Sequence, residues 1–157
     1  MRNKNNNKII KLNKQHKNVK KPNSKWLAKR NGIHIDGVYT TKQGDYDVIC
    51  SKYGDQLNDL GRQLPSVGFT YYGTFTNLNT AILVRNLHFM SFGEFDMVLD
   101  IPLEELNEEV HNEFHKWSNR TNDNKKLVNR AYHEAQKNLL EEIEKSIQYV
   151  HENELED

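Results

Sequence analysis

The sequence predicts an α+β fold: an antiparallel sheet packed by two C-terminal helices and preceded by a flexible basic arm. Three observations carry that expectation. Segments rich in β-branched and aromatic residues cluster between positions 33 and 101, two stretches with apolar residues at helical spacing fill 102–150, and the first 30 residues hold no Asp or Glu. The chain of 157 residues is 36% hydrophobic and 28% charged, which suits one domain with a modest core. The expected division is therefore a basic arm over 1–30 and a single acidic domain over 31–157.

The arm is rich in Asn and Lys, and Ile9, Ile10, Leu12 and Val19 are its few aliphatic residues before Pro22. So little apolar surface cannot offset the entropy of ordering, which predicts disorder for the isolated arm. Ser24 is placed to cap a short helical turn through Trp26, Leu27 and Ala28, ending before Asn31-Gly32.

Residues 33–53 read as extended. Ile33 and Ile35 alternate around His34, and the β-prone runs 38–40 and 46–50 flank the turn signal Gln43-Gly44-Asp45, giving an N-terminal hairpin. Asp55 then caps a short helix through Leu57, Leu60 and Leu64, stopped by Pro65. Three consecutive antiparallel strands are expected at 69–75, 80–89 and 95–101. In the last, Phe95, Met97, Leu99 and Ile101 share one face while Asp96 and Asp100 take the other.

Pro102 suits a first helical position, with Glu104 and Glu105 in the first turn. Leu103, Leu106, Val110, Phe114 and Trp117 form its apolar stripe, and 118–122 breaks the pattern. A second helix is expected from about 123 to 150, roughly 40 Å long, with Val128, Ala131, Ala135, Leu139, Ile143 and Ile147 on one face.

Composition excludes several classes. The longest aliphatic run, 81–84, is far short of a membrane span, and the basic start is not followed by the apolar stretch of a signal peptide. A cytoplasmic protein is expected. The single cysteine, Cys50, excludes an internal disulfide and a Cys-based zinc framework. As a nucleophile it would need His34 or His88 as base, but nothing in the sequence joins them, and a small buried hydrophobe is the expected role. Gly32, Gly37, Gly44 and Gly54 are scattered at turns and make no phosphate loop. No catalytic constellation is found, so the expected protein is not an enzyme.

Metal ligation is tested by His111 and His115, one helical turn apart with Glu108 on the same side. The order H-x-E-x-H differs from the H-E-x-x-H of metalloproteases, and no second segment completes a di-iron set, so no metal or cofactor is assigned. A small His/Glu metalloprotein remains a second alternative. Tyr71, Tyr72 and Phe75 could stack on bases from a sheet face, but their neutral to acidic surroundings favour core and cross-strand roles.

Charge is the strongest signal. The formal net charge is zero, yet residues 1–30 carry eleven Lys or Arg, leaving the remainder with eleven basic against 22 acidic residues. Lys8, Lys11, Lys14, Lys17, Lys20, Lys21, Lys25, Lys29 and Arg30 recur every few residues, a pattern suited to nucleic-acid phosphate. Contact with 6–10 phosphates would lower affinity about 10³–10⁵-fold between 50 and 200 mM salt. Glu104, Glu105, Glu108, Glu109 and Glu113, then Glu141, Glu142 and Glu144, form acidic helix surfaces that would steer toward a basic protein groove. A nucleic-acid-binding accessory protein using the arm alone is the first alternative, opposed by the acidic remainder.

The small size, the Lys-rich start, the β segments at 69–75, 80–89 and 95–101 and the acidic C-terminal helices resemble the layout of phage-encoded anti-CRISPR proteins that inhibit type II CRISPR nucleases. The abundance of Lys and Asn fits the AT-rich coding of low-GC bacteria and their phages. The resemblance lies in layout and transfers no site residues. It implies a non-catalytic inhibitor acting by steric or electrostatic blockade in the host cytoplasm, with the glutamates on the nuclease and the arm near RNA or DNA phosphate.

Overall fold

The computed structural model describes residues 21–51 and 69–155. The fold is α+β, as expected: among the described residues are a four-stranded antiparallel sheet of order β1-β2-β3-β4 and three helices. The strands are β1 (Leu27–Arg30), β2 (Ile33–Thr40), β3 (Tyr46–Cys50) and β4 (Thr70–Phe75). The helices are α1 (Leu78–Ser91), α2 (Glu108–Arg120) and α3 (Asn122–Leu155). The chain forms two compact units, Met1–Ala81 and Ile82–Asp157, with the boundary inside α1.

In the first unit the sheet begins earlier than expected. A single 3₁₀ turn, Ser24–Trp26, is capped by the Asn23 side chain rather than by Ser24, and Leu27 and Ala28 belong to β1. The Trp26 carbonyl accepts from Thr40 Oγ1 at 3.0 Å, fastening the turn to β2. Asn31 and Gly32 both have positive φ, 53° and 78°. That is the geometry of a two-residue hairpin turn whose twist matches its strands, so Asn-Gly here joins β1 to β2 rather than stopping a helix. The expected hairpin at 38–50 is present. Val38 faces Val48, and Gly44 N–H donates to the Thr41 carbonyl in the connecting turn.

β4 pairs with β3 through a register shift that leaves Tyr72 unopposed, next to Gly73 at φ 125°. That backbone angle is costly for any residue with a side chain. Ile35, Val38, Tyr39, Val48, Ile49, Cys50 and Phe75 are the buried apolar centre of this unit's sheet. The expected helix around Leu57, Leu60 and Leu64 lies outside the described residues.

The expectation of three consecutive strands is corrected beyond the first. Residues 80–89 lie within α1, and 95–101 enter no sheet. A helix buried nearly all round shows no amphipathic period, so its apolar run reads like a buried strand. Ala81, Ile82, Val84, His88 and Phe89 are all at or below 2% exposure. After a 3₁₀ turn at Phe95–Met97 the chain runs extended, but α1 side chains take its backbone groups. Asn86 donates to the Leu99 carbonyl at 2.9 Å and accepts from the Leu99 N–H at 3.1 Å, while Arg85 donates to the Met97 carbonyl. Asn86 thus supplies both the donor and the acceptor that a neighbouring strand would supply.

α1 ends in a glycine cap. Gly93, at φ 76°, donates to the Met90 carbonyl and Glu94 donates to that of Phe89, satisfying the last carbonyls. Arg130 of α3 adds a hydrogen bond to the Ser91 carbonyl at 3.0 Å and lies over the Phe92 ring, so a cation meets the negative helix end.

α2 starts later than expected. Pro102 and Leu103–Glu105 form a separate 3₁₀ turn, and Asn107 caps α2 by accepting from the Val110 N–H at 3.1 Å. Leu103 is 85% exposed and does not belong to the buried stripe, whereas Val110 and Trp117 are buried and Phe114 half-buried. The break before α3 is the single residue Thr121. Its Oγ1 accepts from the Asn124 N–H, and Asn124 in turn donates to the Trp117 carbonyl at 2.8 Å, so one short link finishes α2 and starts α3. Leu127 and Ala131 are buried on α3.

Candidate functional site

The outer part of α3 is the most conspicuous chemical surface among the described residues. Every residue from 139 to 154 is exposed. Leu139 and Leu140 are each 60% exposed, Ile143 46%, Ile147 54% and Val150 52%. The spacing 140, 143, 147, 150 keeps these side chains on one stripe, the seam by which helices pair with other helices or grooves. The sequence places Leu139, Ile143 and Ile147 on one helix face, and the structure shows that face exposed. An apolar period shows only that a face wants cover, and buried cover ends near Ala131.

Carboxylates border the stripe. At 100° per residue Glu144 lies beside Leu140, with Glu141 and Glu152 further round the same side. Glu141, Glu142 and Glu144 are exposed, as are Glu152 and Glu154. Lys145 lies 3.9 Å from Glu142, both largely solvated. Such a pair contributes little and leaves the local field negative. Ser146 Oγ donates to the Glu142 carbonyl and Gln148 to Glu152, bonds internal to the helix. Chemically the surface offers apolar contact flanked by acceptors, and no nucleophile or proton-transfer pair.

The second expected acidic set divides. Glu104 and Glu105 belong to the 3₁₀ turn, Glu108 and Glu109 occupy the first turn of α2, and all four are exposed. Glu113 is half-buried with interactions of its own. Of the expected phosphate-binding residues, Lys8, Lys11, Lys14, Lys17 and Lys20 lie outside the described residues. Lys21, Lys25 and Lys29 are exposed, and Lys29 and Arg30 are held on β1.

His111 and His115 are brought together, their Nε2 atoms 3.2 Å apart on exposed α2 surface. Among the described residues no group of three or more His, Cys, Asp or Glu could hold a metal ion. Cys50 is buried in β3 while His34 is exposed on β2. Phe75 is core, and Tyr71 and Tyr72 are half-buried, with the Tyr71 hydroxyl 2.8 Å from Thr74 Oγ1. Thr74 in turn donates to Asp47 across β3 and β4. No helix among the described residues is long and apolar enough to cross a membrane. Comparison with known proteins finds no matching family, no matching curated protein and no matching solved structure.

Proposed function

We propose that this chain is a non-catalytic interaction protein that inhibits a nucleic-acid-processing nuclease, in the manner of the anti-CRISPR proteins that its small size, Lys-rich start and acidic C-terminal helices resemble. The observation that carries the reading is the exposed stripe Leu140, Ile143, Ile147 and Val150 on α3, bordered by Glu141, Glu144 and Glu152. An apolar face exposed over about three helical turns is a binding surface rather than a fold element. Its acidic border selects a partner with an apolar groove rimmed by Lys or Arg, the chemistry of surfaces that normally receive nucleic acid. The Lys-rich arm would lie near bound RNA or DNA, adding phosphate contacts that weaken with salt.

The test is DNA cleavage by purified type II CRISPR nucleases loaded with guide RNA, with this protein added at increasing ratio. Inhibition complete near one equivalent is expected. It should be lost on combining Glu141→Lys, Glu144→Lys and Ile147→Asp, and only weakened by removing residues 1–20. Unimpeded cleavage across the panel, or inhibition untouched by the triple variant, would overturn the reading. Salt-sensitive binding of naked duplex that disappears with residues 1–20, without any inhibition, would instead favour the accessory-protein alternative.

A further inference from the structure

We propose that His111 and His115 form a two-imidazole clamp for a nitrogen-preferring divalent transition-metal ion such as zinc, nickel or copper. The sequence supplies the spacing; the structure supplies the donor geometry. Both rings project from the middle of α2 into solvent, with Nε2 to Nε2 at 3.2 Å, centroids 4.5 Å apart and planes at 80°. An ion about 2.0–2.1 Å from each nitrogen would see the two at about 100°, between the square and tetrahedral angles. Such an ion would sit to one side of the line joining the nitrogens, so the two exposed rings turn to aim both lone pairs at it.

The scaffold is rigid before any ion arrives. Asn107 caps the start of α2, Val110 and Trp117 anchor its opposite side, and the His115 carbonyl accepts from Ser118 Oγ and Asn119 Nδ2. Binding therefore need not drive folding, unlike a structural zinc finger. Glu108 and Glu109 in the first turn add negative charge that raises the local concentration of cations. With two protein donors the remaining positions stay with water or with a donor from another molecule, so the site is open and exchangeable. Calcium and magnesium, which prefer oxygen ligands, are excluded by the donor type. The clamp is independent of the α3 surface.

The test is calorimetric titration of the full chain with zinc chloride and, separately, nickel chloride, beside His111→Asn and His115→Asn. Both substitutions lie on exposed positions, and far-UV circular dichroism checks that each variant keeps its helices. One exchangeable equivalent is expected for the native chain, weakened by about 10–100-fold or more in either variant, since losing a ligand removes more than the outer-shell contacts worth that factor. No response to calcium or magnesium is expected. A native chain that binds neither zinc nor nickel, or a single variant that binds both as the native chain does, would overturn the assignment.

Discussion

Tyr39 carries a clear titration signature within the sheet. Burial pushes its phenol above the usual value of 10.0, and negative charge at Asp36 and Cys50 adds to the effect. The fold thus favours the neutral phenol, so this contribution is fully present below 10.0 and is lost as pH rises from there through the raised value of the folded chain. Melting temperature should therefore fall more steeply between about pH 9 and 11 in the native chain than in Tyr39→Phe. Parallel declines would show that Tyr39 does not couple to folding. Asn86 makes a second residue-scale test, because it is buried and serves both Leu99 backbone groups. Asn86→Ala should lower stability by about 1–3 kcal/mol, the cost of stranding buried polar partners, read as a lower urea midpoint at unchanged slope. Neither role is visible in the sequence, where Asn86 is one polar residue interrupting an apolar run.

Elements with one dry and one wet face were legible; elements without that contrast were not. α2 and α3 show the helical period because Val110, Trp117, Leu127 and Ala131 are buried while their neighbours are solvated. The β2–β3 hairpin announced itself by Gly44 between β-branched runs. α1 did not, since its Thr80, Ala81, Ile82 and Val84 are all buried, and Thr80, Ile82 and Val84 are β-branched besides. The alternation of 95–101 was real, but side chains of α1 rather than a strand satisfy that segment. Asn31-Gly32 was ambiguous because the same dipeptide closes hairpins and ends helices. For the outer half of α3 the period marked an apolar face, and only the structure shows that this face is exposed, because period reports a face and not its cover. It follows that Ile147→Asp should change unfolding free energy by no more than about 0.5 kcal/mol, as exposed positions do. A larger loss on chemical denaturation would mean the stripe is covered within the molecule.

At the scale of the whole molecule, the segregation of charge along the chain was legible from counting alone, and the structure adds position to it. The inner part of α3 carries Lys125, Lys126 and Arg130 beside its buried contacts, and the outer part carries Glu141, Glu142, Glu144, Glu152 and Glu154. Glu152 stands about 30 Å along the helix axis from Ala131, at 1.5 Å per residue. The screening length in physiological salt is only about 8 Å. Carboxylates held that far out act as an antenna: an approaching cationic body senses them before it meets the anchored part of the same helix, so the first encounter is oriented tip-first and its rate, more than its final tightness, falls as salt is raised.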